Sequence, residues 1–240
     1  MSRVLTLAAA SAAAIVGMQA QAASVMFTTG LLDNGGSNFL TGGPASAGAA
    51  TGAGSFTLPQ FDDLGGTLIL TQVIVEATGN SIGGSNAIDN EGASAGIAQV
   101  TLGSAITVTS ATPSAVVTVI PTPFLDSGVQ SIDPDNDAAP DFVGTDAVGI
   151  LGGNATDTDT DSVAAVDFSD WIGLGNVTFD FSSITNSTTF ASVGPSQSSA
   201  NPTEFTLSAK VTYVYEPVPE PASAALLGLG GLVALRRRRA

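Results

Sequence analysis

From Glu204 to Glu216 the chain alternates. Phe205, Leu207, Ala209, Val211, Tyr213 and Tyr215 fall on one side, and Glu204, Thr206, Ser208, Lys210 and Thr212 on the other, with Val214 the one apolar break in the polar set. A period of two is that of a strand with one wet face. Val177, Phe179 and Phe181 repeat it against Asn176, Thr178 and Asp180, while Ile106-Thr107-Val108-Thr109 and Val116 to Ile120 add segments rich in β-branched residues. Leu68 to Val75 is a more continuous apolar run, which predicts a strand covered on both faces. Between these runs, Gly42-Gly43-Pro44, Gly79-Asn80-Ser81, Gly83-Gly84-Ser85-Asn86 and Gly152-Gly153-Asn154 read as turns and loops. Residues 35–54 are almost all small or polar and read as one long mobile loop.

No long stretch has the 3.6-residue period of an amphipathic helix. The body, residues 23–216, is therefore expected to be all-β: a single antiparallel β-sandwich, jelly-roll-like, rather than an α/β domain.

The two ends depart from this pattern. Arg3 is followed by Val4 to Val16, all apolar, small or hydroxyl-bearing, and then by Ala20-Gln21-Ala22, with small residues at the two positions a signal peptidase inspects. Residues 1–22 thus read as a signal peptide cut after Ala22. A buried amphipathic helix would need polar positions at helical spacing, and this run has almost none. At the other end, Ala222 to Leu235 is apolar or small throughout and is followed by Arg236, Arg237, Arg238 and Arg239. Its fourteen residues rise only about 21 Å as a helix against a hydrocarbon core of about 30 Å. That suits a transient transmembrane helix, with the arginines held on the cytoplasmic side and the body outside.

Val218-Pro219-Glu220-Pro221 stand immediately before that run. With the short glycine-bearing helix and the arginine cluster, residues 217–240 resemble the PEP-CTERM sorting signal of exosortase substrates. The resemblance implies a tail removed by exosortase in a Gram-negative envelope, and a protein that ends at the cell surface or in the extracellular matrix, associated with exopolysaccharide or biofilm. A second resemblance covers the body. Phe56-Thr57-Leu58-Pro59-Gln60-Phe61-Asp62, then Leu64-Gly65-Gly66-Thr67-Leu68, and the closing Val211-Thr212-Tyr213-Val214-Tyr215 are similar to the choice-of-anchor E domain. That family implies an architecture and no known reaction.

Composition narrows the chemistry. The chain has six Lys plus Arg, 21 Asp plus Glu and neither His nor Cys. Removing both processed ends leaves Lys210 as the one base against all the acids. Such a body cannot neutralise phosphates, so nucleic acid and anionic lipid are poor partners, and cations or neutral polymers better ones. Without His and Cys there is no Ser-His-Asp or Cys-His catalysis, no zinc site of the Cys and His type and no disulfide framework.

Local motifs each have a functional and a structural reading. Asp133, Asp135 and Asp137, with Asp141 close behind, alternate as hard oxygen ligands for calcium would. Against the EF-hand pattern, Ala138 replaces the turn glycine and Gly144 the bidentate acid. Asp157-Thr158-Asp159-Thr160-Asp161 fails in the same way at Ser162. Both read more simply as solvated acidic turns, and no cofactor is expected, with calcium the one candidate. Glu76, Glu91, Glu204, Glu216 and Glu220 form no recognisable glycosidase pair. Lys210 reads as a solvated lysine on the polar side of its strand, in a position to guard an edge, and Trp171 as core rather than a sugar platform. The sequons at Asn154, Asn176 and Asn186 read as coincidences of composition. The functional expectation is a non-enzymatic surface or matrix protein, whose partners are signal peptidase and exosortase during export and extracellular polysaccharide afterwards. A carbohydrate-binding sandwich module, with structural calcium, is the alternative.

Overall fold

The computed structural model describes residues 22–29, 32–33, 52–110, 117–135, 140–201 and 203–218. The signal segment as far as residue 21, with Ala20, most of the expected long loop, Asp137, and the tail from Pro219 onward, with Glu220, Pro221, the expected transmembrane helix Ala222 to Leu235 and Arg236 to Arg239, lie outside the described residues. The strands are β1 Ala23–Thr28, β2 Leu32–Asp33, β3 Gly52–Pro59, β4 Leu68–Ile82, β5 Ser85–Asn90, β6 Gly96–Ser110 and β7 Thr118–Val119. They continue with β8 Phe124–Asp126, β9 Gln130–Ile132, β10 Ala147–Leu151, β11 Asn154–Ser162, β12 Asn176–Ala191, β13 Ser196–Asn201 and β14 Glu204–Pro217. Among the described residues the helix content is one 3₁₀ segment, Ala165–Trp171.

All strand pairs are antiparallel. One sheet runs β1-β14-β4-β11, with β2 also on β14, and the other runs β3-β12-β6, where β7, β8 and β9 pair successively along the far edge of β6. A third sheet, β10-β5-β13, continues the first beyond a break: Ile82 pairs with Asn154 and Glu204, and Ser85 with Leu151 and Asn201. Among the described residues, counting each interrupted strand once leaves eight, ordered 1-8-3-6 and 2-7-4-5 in the two layers, the order of a jelly roll. At the break, Gly83 and Gly152 have φ of 67° and 74°, and their N–H groups donate to the carbonyls of Gly153 and Gly84, both at 2.9 Å. Two glycine pairs thus turn adjacent strands at one level without losing the ladder.

Between the first two sheets lies one core. Phe56 and Leu58 of β3, Val73 and Val75 of β4, Ile106 and Val108 of β6, Phe179 and Phe181 of β12, and Phe205, Leu207, Val211 and Tyr213 of β14 are all buried in it. Each such side chain contributes about 1.5–3 kcal/mol on leaving water, so this alternation is the main source of stability. Ile88, Ala98, Val100, Ile132 and Val148 form a second, smaller core under β5 and β10. The long β6 feeds both. Between the two cores Ser104 bonds Thr203 at 2.9 Å and Ser81 at 3.4 Å, all three buried.

Several expectations are corrected. Leu68 to Val75 is not covered on both faces, because Ile69 is exposed and Ile74 only half-buried. The run reads as continuous because the ladder shifts between Val214 and Tyr215: Gln72 pairs with Val214 and Leu70 with Tyr215, so Thr71 is an extra residue. That bulge lets Leu70 and Val73 face the same core although three positions apart. Gly79-Asn80-Ser81 is the interior of β4, not a turn, and a Cβ at Gly79 would stand 2.6 Å from Ile106 Cδ1. Asp157 to Asp161 is strand β11, not a turn. Residues 52–54 of the expected loop already belong to β3, and of the expected strand Val116 to Ile120 the described residues Val117 to Ile120 hold strand at Thr118–Val119.

Candidate functional site

The strand directions give the molecule two distinct ends. At one, β1 begins and β14 stops: Ala22 is exposed just before β1, Ala23 pairs with Tyr215, and Leu68 pairs with Pro217. Val218 continues the ladder by donating its N–H to the Thr67 carbonyl at 2.9 Å. The junctions to the signal segment and to the tail therefore leave the same end of the same sheet, on neighbouring strands. No linker separates fold from tail. Glu216 and Pro217 are still in strand where Val218, the first residue of the sorting motif, begins.

The turn Asp62 to Thr67 closes this end. Asp62 Oδ1 accepts the N–H of Leu64 at 2.8 Å, Asp63 Oδ1 that of Gly65 at 3.1 Å, and the Asp63 carbonyl those of Thr67 and Leu68. Leu64 is held at φ 51°. Beside it runs Gly173-Leu174-Gly175, tied to Gln60 and Phe61 by Gly173 N–H to the Phe61 carbonyl, Gln60 N–H to the Gly175 carbonyl, and Gly175 N–H to Gln60 Oε1. Trp171 sits beneath, fully buried, with its ring near Phe179 and Tyr213. It belongs to the core, as its flanking sequence suggests, and offers no face to a sugar. Tyr213 donates its hydroxyl to the Pro59 carbonyl at 2.9 Å, and burial pushes its phenol well above the usual range.

The aspartate loop lies at the opposite end. Asp133 and Asp135 are exposed, and their backbone N–H groups donate to the carbonyls of Thr145 and Gly92. Among the described residues no group of three or more His, Cys, Asp or Glu converges as a metal site, and Asp137 lies outside them. Sequence reading missed the residues that fix this end. Asp89 is buried and accepts the N–H groups of Asp141 and Phe142, while buried Asn90 donates to the carbonyls of Ser94 and Asp133. Nothing in the run Ile88-Asp89-Asn90 marked it as a strand, because its polar residues are the buried ones. An open groove of about 550 Å³ lies alongside, lined by Ser127, Gln130, Ser131, Asp133 and Thr145 among others.

The remaining candidates are structural. Lys210 Nζ meets Glu76 Oε1 at 2.6 Å, both half-buried, on the outer face of the first sheet. Its strand lies between β1 and β4, so Lys210 does not guard an edge. Asp159 Oδ2 accepts the N–H of Ile120 and Asp157 Oδ2 that of Thr122, each at 2.7 Å. These two carboxylates clamp the edge strand of one sheet to the segment that follows β7 in the other. Asp126 has its carboxyl held below the usual range by the Gln99 amide and then by the Gly128 N–H. In each of these arrangements the charged group is bound to backbone or to a neighbouring side chain.

Residues 217–239 match the family described as the PEP-CTERM protein-sorting motif. This motif implies an exported protein that transits the membrane and is processed by exosortase. No curated protein and no solved structure matches the chain.

Proposed function

We propose that this chain is a non-enzymatic surface or matrix protein, delivered by signal peptidase and exosortase and held among extracellular polysaccharide. The observation that carries this reading is the sorting motif set directly on the end of β14, with Ala23 beside it on β1. A fold whose two junctions emerge together can stand on the membrane during processing and be released with both ends trimmed and every strand intact. The body is a stable polar-faced platform. Among the described residues, Asp89, Asp157 and Asp159 accept backbone N–H groups, and Lys210 pairs with Glu76. This is the chemistry of a scaffold, which also fits the architecture-only choice-of-anchor E resemblance.

One observation favours the alternative, a carbohydrate-binding module. The groove beside Asp133 is lined by hydroxyl, amide and carboxylate groups, which suit a hydroxyl-rich ligand. Structural calcium at Asp133, Asp135 and Asp137 belongs to this alternative. The discriminating experiment applies the processed body to purified matrix polysaccharide. A passive matrix component is washed off, a binding module is retained and loses retention on Gln130→Ala with Asp133→Ala, and release of reducing sugar contradicts the non-enzymatic reading.

A further inference from the structure

The tail leaves the body at Val218, and only Pro219, Glu220 and Pro221 separate it from the apolar run that starts at Ala222. Four fully extended steps span about 14 Å, so Val218, next to the end of β14, stands no farther than that from the bilayer while the tail is inserted. Whatever lies at this end meets the lipid interface.

Four apolar side chains are exposed there, beside the acids Asp62, Asp63 and Glu216. Leu64 is 61% exposed, Leu174 88%, Ile69 49% and Val218 39%. The ladder fixes their place: Ile69 pairs with Glu216, Thr67 accepts from Val218, and the turn carrying Leu64 extends past that level, beside the tail. Leu174 is brought alongside by the bonds from Gly173 and Gly175 to Phe61 and Gln60. Single exposed apolar side chains are ordinary on protein surfaces. Leu64 is less ordinary, because its φ of 51° is a left-handed conformation that is strained for a residue with a Cβ. Glycine would relieve that strain, and an exposed leucine gains nothing in water to offset it.

Resting on the sorting reading above, we propose that Leu64 and Leu174, with Ile69 and Val218, form a membrane-resting surface that dips into a zwitterionic lipid interface while the precursor is tail-anchored. Partial burial of such side chains in the interface returns the free energy that exposure withholds. Asp62 and Asp63 lie on the turn that carries Leu64, and Asp167 and Asp170 in the 3₁₀ segment that precedes Leu174, so an anionic surface repels this end and a zwitterionic one does not. The contact seats the body upright, with the Asp133 loop facing away from the membrane and the sorting motif at a fixed height for exosortase.

The chain has no cysteine, so single labels are clean. Full-length precursor carrying Leu64→Cys, Leu174→Cys or, at the opposite end, Val143→Cys is labelled with an environment-sensitive fluorophore. It is then reconstituted in phosphatidylcholine vesicles and floated. The expected result is flotation of all three, with a blue shift and quenching by brominated lipid at 64 and 174 but not at 143. Both effects should weaken in vesicles rich in phosphatidylglycerol. Flotation with no shift at 64 and 174, or an equal shift at all three, overturns the proposal and leaves the tail reading standing. A shift at 64 and 174 only after exosortase is added assigns the surface to the enzyme and equally overturns it. Failure to float removes the membrane tail itself, and the proposal with it.

Discussion

Ala23 faces Tyr215 across an antiparallel ladder, so the residue expected to begin the exported chain is paired two positions before the last residue of β14. The pairing carries Val25 and Phe27 onto the core, where the Phe27 ring meets Tyr213 edge-on at 6.1 Å. Strand β1 is thus part of the fold and not a remnant of the export signal. Phe27→Ala is expected to lower stability by about 2 kcal/mol, somewhat less than a fully buried phenylalanine, as read from denaturant midpoints.

Tyr213 gives a pH dependence of definite sign. Below its ordinary value of 10.0 the phenol is protonated whether the chain is folded or not, and its contribution to stability is fully present. Above that value the unfolded phenol ionises while the buried one stays neutral. The unfolded state then binds fewer protons, and stability falls as pH rises. Unfolding midpoints taken from pH 8 to 12 should fall above about pH 10, and fall less steeply in Tyr213→Phe. That variant should itself cost about 1 kcal/mol at neutral pH through the lost bond to Pro59.

Gly103 lies in β6 where the segment before β8 crosses it. A Cβ there would press on the Pro123 carbonyl oxygen and stand 2.6 Å from Phe124 Cβ. These neighbours are backbone and strand, with no flexible tip to yield. Gly103→Ala should cost about 2 kcal/mol or more by overpacking. Gly66→Ala, with nothing within 4 Å, should cost only about 1 kcal/mol through its positive φ. Thermal denaturation of the pair separates close packing from conformational strain.

The aspartates of β11 should divide by partner. Asp157→Ala and Asp159→Ala each remove a carboxylate that caps a backbone N–H of the 120–122 segment, and each should cost about 1 kcal/mol. Asp161 bonds only the adjacent Ser162 N–H, and Asp161→Ala should stay within about 0.5 kcal/mol of the parent. Equal effects at all three sites would show that the cross-sheet clamp contributes nothing.

These differences show where sequence was informative. Alternation placed Phe205 to Tyr213 and Val177 to Phe181 in the core because there the apolar residues are the buried ones. It failed at β11, whose inward-leaning positions include Asp157 and Asp159, and at β13, Ser196–Asn201, whose residues are all exposed and all polar but Ala200. It failed again at Leu68 to Val75, where a bulge set by the partner strand changes which residues face in. Glycine pairs signalled the break at Gly83-Gly84 and Gly152-Gly153 correctly, since positive φ is a local demand. Gly79 misled because its requirement is the approach of Ile106, which no local pattern records. The sorting motif was legible because its order of prolines, apolar run and arginines is linear.

The central claim is that export trims both ends of this chain and leaves the eight-stranded body whole. Intact-mass measurement of the protein recovered outside the cells tests it most directly. The account predicts a chain that begins at Ala23 and lacks Arg236 to Arg239; an exported form that still carries those four arginines would contradict it.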